Sequence, residues 1–213
     1  GWTCPTVVDD ACLILKDARH PLQELAVPEF IPNDALLGGR ARTAVVTGAN
    51  FSGKSVYLKQ IGLVVYLAHL GSYVPCGRAR VGLTDRIFTR VATIETCTLP
   101  QSTFMIDATS ISRALSGATR RSLVLIDEFG KGTAELDGMA LLGATLKALS
   151  REGGPRCVVT THFLELARYL KDGQLGDWAS DGSIGFFCTQ QLRTSEADDG
   201  SAAAAEAEQI VPL

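Results

Sequence analysis

The chain has no surplus of positive charge. Twenty Lys and Arg face 23 Asp and Glu, a formal net charge of −3 over 213 residues. Such a balance gives no global pull toward nucleic acid or an anionic membrane. Long apolar runs are also missing. The densest, Leu63-Val64-Val65-Tyr66-Leu67, falls well short of the roughly 18 residues of a membrane span, so no membrane partner is expected. The six cysteines (Cys4, Cys12, Cys76, Cys97, Cys157 and Cys188) are scattered, without a C-x-x-C or a Cys/His group at metal-ligand spacing. A disulfide framework and a zinc site are therefore not expected, and reduced thiols fit a cytosolic or nuclear protein. No signal-peptide pattern opens the chain. Gly1 in place of Met points to a piece of something longer. What is present is 46% hydrophobic and 20% charged, enough for one α/β domain with a buried core, or a domain and a tail.

One stretch organises the rest. Gly48, Ala49, Asn50, Phe51, Ser52, Gly53, Lys54 and Ser55 satisfy G-x-x-x-x-G-K-[ST] at every fixed position. Before it, Thr43-Ala44-Val45-Val46-Thr47 is short, β-branched and apolar, as a buried parallel strand is. After it, Leu58, Ile61, Val65 and Ala68 recur at helical spacing from Val56 to Leu70, and Gly71 stops the pattern. Strand, loop and helix in that order aim backbone N–H groups and a positive helix end at one point, where a polyphosphate can sit. Lys54 would reach the β- and γ-phosphates of a nucleoside triphosphate, and the Ser55 hydroxyl would ligate Mg²⁺.

Upstream, Pro21, Pro28 and Pro32 argue for extended or turning backbone. Phe30 and Ile31 offer an apolar and aromatic face to adenine; equally, Phe30 could fill the core. Downstream, Arg86 to Val91 alternates as a strand does, and a helix runs from Phe104 to about Leu115. Ser102 or Thr103 is placed to cap it, which makes either an ordinary capped helix or a second anion-binding surface.

The second signal is Leu123-Val124-Leu125-Ile126-Asp127-Glu128, four apolar residues and then two carboxylates at the strand end where α/β sheets place ligands. Asp127 would hold Mg²⁺, directly or through water. Glu128 is then free to orient and deprotonate an attacking water. A helix from Asp137 to Ser150 follows, then a strand over Cys157 to Thr161 ending at His162. A lone histidine is usually structural, but at this strand tip it is also a γ-phosphate contact candidate. Helix continues from Phe163 to Leu170, and Ser183 to Leu192 reads as a strand near the sheet edge. From Arg193 to Leu213 the chain turns polar and Ala-rich, and a flexible segment or a truncated end is expected.

Arg19-His20-Pro21, TGANFSGKS at 47–55, STFM at 102–105, DE-x-G-x-GT from Asp127 to Thr133, and Thr161-His162 together resemble the ATPase domain of the MutS family of DNA-processing proteins. They stand in the family's order and cover roughly 18 to 192. STFMID and DEFGKGT, with Asp107, Phe129 and Lys131, are most similar to the meiotic crossover branch, the fifth eukaryotic homologue. The resemblance implies a P-loop NTPase fold with a mainly parallel central sheet flanked by helices, like the transporter-type (ABC) ATPases, with residues 1–192 as the domain. It also implies ATP and Mg²⁺ as ligands and a nuclear setting. Two such domains would meet face to face, a related MutS homologue being the partner. Ser102-Thr103 of one subunit would then complete the other's site, and His162 would sense the γ-phosphate. DNA contact would come from regions outside this chain, which alone is expected to bind DNA weakly or not at all. Three functions stay open: an ATPase gating a DNA clamp, a nucleotide-gated dimerisation module with negligible turnover, and a small-molecule phosphotransferase. The adjacent Asp127-Glu128 favours water activation over transfer.

Overall fold

The computed structural model describes residues 1–91, 103–131, 133–174, 182–193 and 206–212. Its centre is β4 (Thr43–Thr47), buried along its whole length. A strand shielded on both faces is made of uninterrupted apolar and β-branched residues, and β4 is. It pairs in parallel with β8 (Arg156–Thr161) on one side and β9 (Ile184–Arg193) on the other. Beyond β8 lie β7 (Leu123–Asp127) and then β6 (Ile87–Arg90), both parallel. The outer neighbour of β9 is β10 (Glu206–Pro212), which runs antiparallel to it. Five parallel strands and one antiparallel strand thus form the six-stranded sheet.

The period-2 alternation of side chains sorts these strands between two apolar layers. Ala44, Val46, Leu123, Leu125 and Val158 face one layer; Val45, Val124, Ile126, Cys157 and Val159 face the other. The first layer is filled by α1 (Lys54–His69), through Leu58, Ile61, Val64 and Val65. Ile111 and Ala114 of α2 (Thr103–Gly117) enter the second, with Leu142, Leu146 and Leu149 of α3 (Glu135–Leu149) and Leu166 and Leu170 of α4 (Leu164–Lys171). Each fully buried Leu or Ile contributes about 2 kcal/mol of transfer free energy.

A second sheet was not foreseen. β1 (Thr6–Val8), β5 (Arg78–Gly82), β2 (Leu13–Ala18) and β3 (Asn33–Leu37) pair in that order, and Leu13, Leu15, Leu37 and Val81 join the layer around α1. Gly1 to Leu15 mixes polar and apolar residues without a clear pattern, yet it holds β1 and the first half of β2. The proline-bearing stretch between β2 and β3 is irregular, as expected. One cation joins the two sheets. Arg156 at the start of β8 is fully buried, and its guanidinium donates to the carbonyls of Cys12 (2.9 Å), Gly82 (3.2 Å) and Arg121 (2.7 Å) and to Thr84 Oγ1 (2.8 Å). Burial, together with the charge of Arg42, holds its pKa below the ordinary value.

The end of the chain departs from expectation. Residues 194–205 lie outside the described set, but Glu206–Pro212 forms a strand with a seven-pair register against β9, not a flexible segment. A polar, Ala-rich composition lowers β-propensity; pairing with an already formed edge overrides it. β9 thus lies one strand in from the edge, near it as expected. Among the described residues, no helix is long and apolar enough to cross a membrane.

Candidate functional site

The loop from Gly48 to Ser55 joins β4 to α1, so the buried strand fixes one end and the helix the other. Gly48 has φ 153°, and a Cβ there would lie 1.9 Å from Thr189 Oγ1 on β9. Only glycine fits so close an approach. Phe51 adopts φ 64°, a left-handed conformation, and its side chain is wholly exposed at the cavity rim. α1 starts two residues earlier than the apolar periodicity indicates, which places Lys54 and Ser55 in its first turn. That turn carries no acidic residue, leaving the positive helix end unneutralised.

Lys54 is 4% exposed, and its ammonium donates to the carbonyls of Gly48 (2.9 Å) and Ala49 (2.5 Å). It also stands 3.8 Å from Glu128 Oε1. Ser55 Oγ donates to Asp127 Oδ1 at 3.0 Å. The same oxygen accepts from Thr160 Oγ1 at 2.6 Å, because β8 pairs Thr160 directly with Asp127. Loop and acid pair, separated by 72 residues between Ser55 and Asp127, therefore meet at one end of the sheet.

Glu128 sits at φ 49°, a conformation that costs a non-glycine residue on the order of 1–3 kcal/mol and that clusters at functional sites. Its N–H donates to the Thr160 carbonyl (3.0 Å), and Lys131 Nζ donates to Glu128 Oε2 (3.0 Å). Burial pushes the carboxyl pKa up. The hydrogen bond and charge of Lys131, with the charges of Lys54 and His162, outweigh burial and hold it below the ordinary value.

A cavity of about 670 Å³ opens here. Lys54, Ser55, Asp127 and Glu128 line it together with Phe30, Ile31 and Ile210. Phe30 is half-buried at this cavity and belongs to neither apolar cluster. Ile210 comes from β10, where its N–H donates to Asn33 Oδ1 at 2.8 Å, tying the last strand to another residue of the cavity lining. Sequence reasoning missed Ile210, Asn33, Thr160 and Thr189, since each acts through a strand pairing that no local pattern announces. Ser52 Oγ is buried in the loop without a partner, an orphan donor that suits an incoming oxyanion.

His162 follows β8 but does not line the cavity. Its ring lies 4.2 Å from that of Phe163, and Nδ1 is buried without a partner. Ser102 lies outside the described residues, and Thr103 opens α2. The oxygen donors Ser55 and Asp127 suit a hard cation such as Mg²⁺, which takes its other ligands from water and phosphate. Among the described residues no group of three or more His, Cys, Asp or Glu could hold a metal unaided.

The family model described as MutS domain V matches residues 44–175, more than half of the chain and every residue of the loop and acid pair. The chain belongs to the MutS domain V family. MutS domain V relatives include MutS protein homolog 5 of Saccharomyces cerevisiae, 45% identical over 176 residues, which covers 76% of this chain and 20% of that protein. DNA mismatch repair protein MutS of Synechococcus elongatus is 44% identical over 170 residues (78% of this chain, 19% of that protein). MutS of Prochlorococcus marinus is 46% identical over 167 residues (78% and 18%). The chain thus spans about a fifth of the length of these relatives. Identity alone does not separate the yeast homologue from the bacterial proteins.

Proposed function

We propose that this MutS domain V chain binds and hydrolyses ATP, as a P-loop NTPase of ABC-ATPase type, within a larger MutS-like protein that acts on mismatched or branched DNA. The observation that carries the reading is the convergence of Lys54, Ser55, Asp127 and Glu128 on one cavity. In this reading the loop N–H groups, the orphan Ser52 hydroxyl and the Lys54 ammonium bind the phosphates. Phe30, Ile31 and Ile210 form the apolar wall for the base. Ser55 and Asp127 would hold Mg²⁺, which supplies charge neutralisation on the phosphates when bound. Glu128 orients a water and takes its proton, in a position the Thr160 carbonyl fixes from behind. His162, with a free Nδ1, is the γ-phosphate contact once the site closes.

Closure comes from a related MutS homologue docking its own domain V, with Ser102 and Thr103 completing the opposite site. The names of the bacterial relatives, DNA mismatch repair proteins, support a repair setting. Asp107, Phe129 and Lys131 support the meiotic crossover branch and, with it, a nuclear location. DNA contact belongs to regions outside this chain, so duplex or junction binding by this polypeptide at micromolar, salt-sensitive affinity would count against the assignment.

The test is ATP turnover at several protein concentrations, for the wild type and for Glu128→Gln. A hydrolase whose sites complete each other turns over faster per molecule as concentration rises, and loses roughly 10²-fold or more with its base. Equal rates in the two proteins would leave the alternative, a nucleotide-gated dimerisation module with negligible turnover.

A further inference from the structure

Arg90, the last residue of β6, lies outside every motif the sequence displays, yet it reaches the centre of the site. Its guanidinium donates through one Nη to the main-chain carbonyl of Asp127 and through the other to Asp107 Oδ2 on α2. Both side chains of the ion pair are nearly buried, 11% and 12% exposed.

The position of that carbonyl explains why an arginine is needed. The β6–β7 ladder ends with Arg90 opposite Ile126, so the Asp127 carbonyl lies one residue beyond it, with no β6 residue paired opposite. This carbonyl belongs to the peptide that links Asp127 to Glu128. On the other side, the N–H of the same peptide donates to the Thr160 carbonyl at 3.0 Å. The peptide plane is therefore held from both flanks. On one side its neighbour carboxylate meets Ser55 and Thr160; on the other, Glu128 is kept at φ 49° with its carboxylate between Lys54 and Lys131. A planar fork with several donors can hold a carbonyl and a carboxylate at once, while an ammonium is a point charge without that geometry.

We propose that Arg90 is a positioning residue: its fork ties α2 to the peptide joining Asp127 and Glu128, so that the position of α2 sets the aim of the metal-holding and water-activating carboxylates. The inference rests on the proposed ATPase reading and extends it. α2 is the helix whose first residue, Thr103, belongs to the pair assigned to the partner's site, so the fork is a physical connection from the docking helix to the acid pair.

The experiment measures affinity for a fluorescent ATP analogue in EDTA and again across a Mg²⁺ titration, in the wild type, Arg90→Lys, Asp107→Asn and the double variant, with a thermal melt of each. Arg90→Lys should match the wild type in EDTA, because the loop is untouched. The Mg²⁺ concentration that gives half of the metal-dependent gain in affinity should rise roughly tenfold or more, as for other residues that orient a metal ligand from behind. Asp107→Asn should shift it in the same direction by less, and the double variant should be no worse than Arg90→Lys, since both remove one connection. The conservative single variant Asp107→Glu should leave the half-point near that of the wild type. Arg90→Lys with an unaltered Mg²⁺ half-point, or additive effects in the double variant, would overturn the inference. If Arg90→Lys melts early, Asp107→Asn decides by the same half-point. A wild type that binds no nucleotide removes the ATPase reading itself; a wild type that binds while the variants titrate identically removes only the role of Arg90.

Discussion

Ser55 and Asp127 are 72 residues apart in the chain and share a 3.0 Å hydrogen bond across the end of the central sheet. One oxygen of Asp127 accepts both this bond and one from Thr160, so the carboxylate is fixed in direction before any ligand arrives. Fixed acceptors and donors of this kind reorganise little when charge enters, which is what an electrostatic site needs.

Lys54 is the first point at which the site can be tested. Its buried ammonium is the positive charge nearest the loop carbonyls. Lys54→Ala should weaken ATP binding by roughly 10- to 100-fold, the range for a charge-assisted hydrogen bond lost at about 1.5–3 kcal/mol. Titration with a fluorescent ATP analogue reads this directly; an unchanged affinity would remove the phosphate-site assignment.

Gly48 offers a steric test with an internal control. A Cβ at this position would meet Thr189 Oγ1 at 1.9 Å, so Gly48→Ala must displace either the loop or β9. Nucleotide affinity should fall by about tenfold or more, an effect of the 1–3 kcal/mol size that such strain produces. Adding Thr189→Ala should recover part of the loss. The φ of 153° remains unfavourable for alanine, so recovery should stay incomplete.

The pH dependence follows from Glu128. Its carboxyl is held below the ordinary value of 4.5 chiefly by Lys131, against the opposing pull of burial. A depressed carboxyl contributes its stability fully above the unfolded value and loses it as pH falls through the folded one. Glu128 therefore stays charged across the neutral range, and the acid limb of ATP turnover should lie below pH 4.5. Lys131→Ala should move that limb upward, as a pH–rate profile of both proteins would show; coincident limbs would contradict the pairing.

Arg156 tests how the two sheets are joined. Arg156→Leu leaves the Arg121 carbonyl without its donor and takes one of two donors from the carbonyls of Cys12 and Gly82, which keep the Gly82 N–H and Thr84 Oγ1 respectively. Urea unfolding should show a loss on the order of 1–3 kcal/mol, the desolvation cost of a buried acceptor left without its donor. A variant as stable as the wild type would mean that packing alone holds the sheets together.

Much of this protein was legible in its residues because the information is local. The loop pattern needs one strand before it and one helix after it, and Thr43–Thr47 and Lys54–His69 supply them. The run Leu123–Asp127 announces a doubly covered strand by its composition. The four-stranded sheet was not legible. Thr6–Val8 has three residues, and Arg78–Gly82, though it alternates charged and apolar side chains, is too short to stand out from a loop. Those strands exist because they pair with one another and cover α1. Glu206–Pro212 is not legible as a strand for a related reason: its composition is that of a tail, and only the presence of β9 gives its backbone partners.

The sequence by itself determined the chemistry at the site: a lysine-bearing glycine loop, two adjacent carboxylates, and the order in which strands and helices present them. Tertiary structure alone decided the neighbours that aim this chemistry. Thr160 and Arg90 grip the acid pair through strand register, and Ile210 closes the cavity wall through a strand pairing with β9. Periodicity and spacing act over a few residues, whereas these contacts depend on which strands lie side by side, a property set by how the whole chain buries its apolar surface.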